Sequence, residues 1–222
     1  MRLMPKTVGA RRRLMMLCAA LIAIVSWNCA WSWASFRYRP VEGDLLFQSL
    51  PNPPGLDLVD AIEGASESPY SHCGAVVRTD EGWAVLEGMV PHVKETPLDE
   101  WLRRGRGRFS VYRLKHSLRD HIPEWIAEMR KELGKPYDFY YEMSDHSIYC
   151  SELPFDAWKR VTGDEMGSLV RLGDLKWQKY REVISAIEGT EQIPLEREMI
   201  TPKHLAQAKQ LEFVMANGLK RE

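Results

Sequence analysis

Six histidines and four cysteines carry most of the reactive chemistry this chain offers. Cys18 and Cys29 fall in an uncharged apolar stretch near the N terminus, which leaves Cys73 and Cys150. Cys150 opens "CSELPFDAWKRVTG", a helical segment in which Pro154 is tolerated only in the first turn. The helix therefore starts near Cys150. Free amides and the positive end of the dipole then face the sulfur, favouring a thiolate and later an oxyanion. A cysteine at a helix start serves packing as readily as catalysis, and what separates the two is a base within reach.

His121 lies on an amphipathic helix, His204 on a C-terminal helix, and His92 and His116 at strand ends without a partner. Two histidines remain. His146 stands four residues before Cys150 in an irregular loop, and His72 begins the strand "SHCGAVVR". His72 has a candidate orienting carboxylate in Glu87, the lone charge of the strand "WAVLEGMV". A two-residue turn at Thr79-Asp80 sets His72 opposite Glu87. A four-residue turn from Thr79 to Gly82 pairs Arg78 with Trp83 and leaves Glu87 diagonal to His72 on the same face. Both registers let the side chains meet, and a three-residue turn separates them. Alternation along the strand turns Cys73 away from His72, so Cys73 reads as packing. A Cys73–Cys150 bridge is the one disulfide available outside the apolar stretch.

The elements that must position these residues alternate between strand and helix. Strands are expected over Glu42–Leu50, Ser71–Arg78, Trp83–Val90 and Phe109–Lys115. Helices are expected over Leu56–Ser66, Thr96–Gly105, Leu118–Gly134, Cys150–Gly163 and Thr201–Ala216. The fold class is α+β, an antiparallel sheet packed against helices. Tyr70, Trp83, Tyr137 and Tyr140 are candidates to line a substrate cleft.

The N terminus differs from the rest. Arg2, Lys6 and Arg11–Arg13 precede the uncharged run from Leu14 to Ala34, which is long enough to span a bilayer or to act as a secretory signal with cleavage after Ala34. The residues before Cys29 are too bulky for lipoprotein processing. Residues 1–34 are thus a basic tail with a signal peptide or transmembrane anchor, residues 35–190 the catalytic domain, and residues 191–222 a helical extension packed on it. The remainder faces outward, which points to the bacterial cell envelope, periplasmic or anchored to the inner membrane. The first 34 residues hold five of the 30 basic residues and none of the 31 acidic ones, leaving the rest at a net −6. That balance argues against a nucleic-acid partner. The motifs for zinc proteases, α/β-hydrolases, phosphate-binding loops and dinucleotides are absent, and no metal or cofactor is expected.

"EGDLLFQSL", "YSHCGAVV", "VLEGMV", "YCSELPFDAW" and "ITPKHLAQAKQLEFV" follow one another in an order that resembles the permuted papain-like amidases of the YaeF/YiiX type, within the NlpC-type superfamily. The resemblance covers Val41 to Val214. It implies a circularly permuted papain-like fold in which the histidine strand precedes the cysteine helix. It also implies Cys150 as nucleophile, His72 as base and Glu87 as the group orienting the imidazole. Cys73 stands where many relatives have a small or aliphatic residue. Pro154 and Phe155 replace the aliphatic residues that usually follow "CSEL", which bears on the shape of the cleft. The expected activity is hydrolysis of an amide in a peptide or lipid-linked substrate. The competing readings are a lipid-directed acyltransferase or thioesterase using the same residues, and a non-catalytic envelope binding module.

Overall fold

A computed structural model describes residues 38–219, and from Pro40 onward the chain forms one compact unit. The signal or anchor expected over residues 1–34 lies outside the described residues. Among the described residues, no helix is long and apolar enough to cross a membrane.

Strand β1 (Leu45–Gln48) leads through helix α1 (Leu58–Ser66) to the hairpin of β2 (His72–Thr79) and β3 (Gly82–Glu87). Next come β4 (Lys94–Pro97), α2 (Leu98–Arg104) and β5 (Phe109–Leu114). A 3-10 turn over His116–His121 runs into α3 (Ile122–Arg130), and α4 spans Glu152–Thr162. The last third contributes β6 (Val170–Arg171), α5 (Arg181–Glu188), β7 (Glu198–Met199), α6 (Pro202–Ala206) and β8 (Leu211–Asn217). The main sheet is antiparallel, in the order β4-β3-β2-β1-β5-β8.

Alternation along these strands sorts the chemistry by face. One face carries Leu45, Phe47, Cys73, Ala75, Val77 and Leu86, packed into one core with Trp125 of α3 and Leu153 and Trp158 of α4. The two indoles meet edge to face at 5.8 Å, and Trp125 Nε1 donates to the Pro154 carbonyl at 2.9 Å. Such indoles are held firmly, since truncating one to alanine typically costs about 3–5 kcal/mol. The other face carries His72 and Glu87 beneath Trp101 of α2.

The C terminus departs from the expected helical extension. Thr201 caps α6, accepting the His204 N–H, but the helix ends at Ala206. "LEFVMAN" then runs as β8 along β5. Its apolar residues satisfy a helical period, but aromatic and β-branched side chains beside an open strand edge favour pairing. Residues 211–217 are therefore a strand of the main sheet. The stretch after Gly163, for which the sequence predicts no helix before Thr201, contains α5, with Val183, Ile184 and Ile187 at helical spacing.

Candidate active site

The β2–β3 hairpin pairs Arg78 with Trp83 and Ala75 with Leu86, the second of the two productive registers. Continued, it sets Glu87 opposite Gly74 and diagonal to His72. The glycine matters here. A Cβ at Gly74 would lie 2.5 Å from Val85 Cγ1 and 3.1 Å from Glu87 Cβ, so only a bare Cα leaves Glu87 its place on this face. His72 Nε2 lies 2.5 Å from Glu87 Oε2.

Glu87 is 0% exposed, and a buried carboxylate must be compensated. Thr96 Oγ1 donates to Oε1 at 2.6 Å. Trp101 Nε1 at 2.9 Å and Arg104 Nη2 at 2.5 Å donate to Oε2. Burial pushes the carboxyl up, but the hydrogen bonds and charges of His72 and Arg104 prevail and hold it at about 2. Strand β4 and helix α2 thus serve Glu87, a role their sequence did not announce.

Cys150, 3% exposed, immediately precedes Ser151, the N-cap of α4. Two contacts fix the loop before it. The Glu152 carboxyl group accepts the N–H groups of Tyr149 (3.2 Å) and Ser144 (3.3 Å). At the end of β3, a Cβ on Gly88 would fall 3.0 Å from the Tyr149 carbonyl and 3.2 Å from the Cys150 nitrogen. Gly88 therefore lets the strand end lie against the Cys150 peptide.

Sulfur and imidazole are close enough that each shifts the other's pKa. Glu87 occupies Nε2, which leaves Nδ1 for the sulfur. Burial alone would lower the His72 pKa, but Cys150 and Glu87 together raise it to about 9. The Cys150 thiol is held well below its ordinary value. The hydrogen bond from the Cys73 thiol is the largest cause, burial opposes it, and His72 and the Cys73 N–H add to it. The arrangement favours a thiolate–imidazolium pair at neutral pH.

Cys73 is therefore more than packing. Its side chain does point away from His72, into the core with α4, but Cys150 sits where both faces of β2 can be reached. His146, the rival base, is exposed on the loop leading to Cys150, whereas His72 is 2% exposed.

The four candidate cleft aromatics separate. Tyr140 lines an apolar cavity that Cys150 also lines. Tyr137 stacks edge-on with Phe139 beside it, and burial pushes its phenol up, with the charges of Tyr141 and Cys150 adding to it. Tyr70 is not at the cleft: it is buried against Phe47, its hydroxyl 3.3 Å from that of Tyr112. Trp83 is not there either, because it stands near the hairpin turn with the Arg78 guanidinium 4.0 Å over its ring. Neither position could be told from an aromatic residue's type alone. The cavity measures about 100 Å³, and α1, α5 and the segment around Met199 wall it. Tyr141 also lines it, with a buried hydroxyl lacking a close hydrogen-bond partner.

The family described as "Permuted papain-like amidase enzyme, YaeF/YiiX, C92 family" matches residues 39–215. The protein YiiX of Escherichia coli (strain K12), itself uncharacterized, is 32% identical over 184 residues, spanning 81% of this chain and 88% of YiiX. A crystal structure of YiiX from Escherichia coli O157:H7, described as a metalloprotein, superposes with a TM-score of 0.74. Its identity is 29%, and the match covers 81% of this chain and 99% of that one. The residues here do not fit a resident metal. Among the described residues no group of three or more His, Cys, Asp or Glu side chains could hold an ion. The carboxylate beside His72 is already taken by four donors. In fold, in motif order and in the extent of the match, this chain belongs to the permuted papain-like amidases of the YaeF/YiiX type.

Proposed function

We propose that the protein is a cysteine amidase of the cell envelope that cleaves the amide of an acylated substrate through a thioester on Cys150. One observation carries this reading. The same sulfur meets the buried His72–Glu87 pair and the apolar cavity. A cavity with so apolar a lining suits an acyl group better than a charged peptide. The basic tail, the apolar run to Ala34 and the acidic remainder support an envelope location.

The thiolate attacks the carbonyl carbon, and amides at the start of α4 receive the oxyanion. His72 gives its Nδ1 proton to the departing amine as the C–N bond breaks. Neutral His72 then takes a proton from the water that attacks the thioester, releasing a carboxylic acid and restoring the ion pair. Glu87 holds Nε2–H throughout and keeps the ring aimed at the sulfur. A thioesterase or acyltransferase would use the same atoms, and the cavity supports it equally, because the readings differ only in the acceptor. A binding module would hold the acyl group without forming the thioester.

The test is full-length protein in detergent with N-acyl amino acid amides of graded chain length. Expected is release of acid and amine, an acyl-enzyme trapped by mass spectrometry, and loss of both in Cys150→Ser and His72→Ala. Transfer to an added amine in preference to water would assign acyltransferase activity. Acyl binding without turnover, unchanged by Cys150→Ala, would leave the binding module.

A further inference from the structure

We propose that Glu152 positions the Cys150 nucleophile as an uncharged carboxylic acid, holding the Tyr149 N–H from the first turn of α4. Among the described residues two glutamates are 0% exposed, Glu87 and Glu152, and their surroundings are opposite in kind. Glu87 has a guanidinium, an imidazole, an indole and a hydroxyl around it. Glu152 has two backbone N–H groups, from Tyr149 at 3.2 Å and Ser144 at 3.3 Å, both long for bonds to an anion. Among the described residues no cation is paired with it. The charged groups facing it are acidic, Asp156 on its own helix and Asp138 on the preceding loop. A carboxylate so placed would be buried without compensation, and such a group takes up a proton instead. Burial accordingly pushes the Glu152 carboxyl up to about 9, with the two N–H groups opposing it and Asp156 and Asp138 adding to it.

The contact lies where it bears on the nucleophile. The side chains on either side of Cys150 are tied to one residue: the Tyr149 hydroxyl accepts the Ile200 N–H at 2.9 Å, and Ser151 Oγ donates to the Ile200 carbonyl at 2.7 Å. The backbone is tied separately. The Tyr149 N–H goes to the Glu152 carboxyl, and the Tyr149 carbonyl accepts the Leu153 N–H at 3.3 Å. The first turn of α4 thus grips Tyr149 at both ends, and Cys150 follows directly. The missing charge matters as much as the bond. An anion two residues from Cys150 would oppose the thiolate, whereas a neutral acid keeps the hydrogen bond without that repulsion. Glutamine, uncharged and of the same shape, keeps the Tyr149 bond through its one carbonyl oxygen and gives up the longer Ser144 bond. Alanine gives up both.

The inference rests on Cys150 as the nucleophile of the proposed reaction, but its readouts need no substrate. The experiment uses full-length protein. It measures the rate of Cys150 alkylation by iodoacetamide at near-neutral pH, and urea unfolding from about pH 5 to 8. Glu152→Gln should alkylate close to the wild-type rate. Glu152→Ala should be slower by about 10–100-fold, and adding His72→Ala should then change little, because the sulfur has already lost its base. The second readout reports the proton itself. With its carboxyl at about 9 folded against 4.5 ordinarily, the wild type holds an extra proton when folded between those values, and loses stability as pH rises. Its unfolding constant should rise about tenfold per pH unit relative to Glu152→Gln. Parallel pH slopes would overturn the inference. So would equal losses of alkylation in the two variants, a glutamine variant that does not fold, or a folded Glu152→Ala that alkylates like the wild type. Where Glu152→Ala fails to fold, the glutamine variant and the slope decide. A wild type that meets these outcomes but hydrolyses no amide would refute the proposed activity alone.

Discussion

Replacing Glu87 by glutamine tests the relay most directly, because the shape is kept and only the charge is lost. Glu87 receives His72, Thr96, Trp101 and Arg104 and is fully buried. A hydrogen bond to a charged group contributes about 1.5–3 kcal/mol, and each pKa unit corresponds to about 1.36 kcal/mol. The His72 imidazolium, held at about 9, should therefore fall by roughly one to two units. The ion pair exists between the low thiol pKa and the high imidazole pKa. Its loss with rising pH follows the imidazole, so the alkaline limb of the rate profile should move from about 9 to roughly 7–8. Arg104 also loses its anion. Breaking a buried pair costs about 3–5 kcal/mol, and the Arg104 side chain, 20% exposed, can regain some water, which favours the lower end. At about 2–4 °C per kcal/mol for a domain of this size, Tm should drop by roughly 6–12 °C. The assay is the pH dependence of kcat/KM, with circular dichroism to establish folding. An alkaline limb that stays at the wild-type position in folded Glu87→Gln would refute the orienting role.

Four further outcomes follow from the same geometry. The Glu87 carboxyl titrates at about 2 when folded against 4.5 ordinarily. Its contribution, about 3 kcal/mol, is present above pH 4.5 and lost as pH falls towards 2. Urea midpoints should fall over that range in the wild type and flatten in Glu87→Gln. Gly88→Ala pushes on the Tyr149–Cys150 peptide, and kcat should fall about 10–100-fold with a modest loss of Tm; unchanged kcat would mean that the strand end does not position the nucleophile. Ile184→Trp fills the cavity wall and should shorten the longest acyl chain turned over while Cys150 alkylation stays as it was; an unaltered chain-length profile would remove the cavity from substrate binding. His146→Ala should leave Cys150 alkylation at near-neutral pH intact while His72→Ala lowers it, and the reverse result would exchange the base.

What the sequence disclosed was local. Period-two alternation brings His72 and Glu87 to one face, and Pro154 sets the start of the cysteine helix, because strand pleat and first-turn stereochemistry act over a few residues. The register stayed open between two turns, since both satisfy the same hydrophobic alternation. What stayed hidden was tertiary. Arg104 and Trp101 reach Glu87 from a helix whose spacing says nothing about its partner. Tyr70 and Trp83 have the residue type of a cleft but the surroundings of a core and a hairpin end. The cavity is assembled from α1, α5 and the stretch near Met199, which no single stretch of sequence joins. For residues 211–217, a free strand edge overrode a pattern that reads equally well as helix.

The surroundings of Cys150 have one geometric origin. Within β2, His72 must face α2 and Cys73 must face α4, because successive residues of a strand cannot share a side. A group in the middle of either layer could meet one of them but not both. Cys150 meets both because it comes from the loop before α4, held against the end of β3 where Gly88 admits close approach. The same placement puts Cys150 on the wall of the apolar cavity. A nucleophile at the sheet's end thus gains its base from one face and its neighbouring thiol from the other. Moving Cys150 one turn into α4 would lose the imidazole, the second thiol and the route to substrate together.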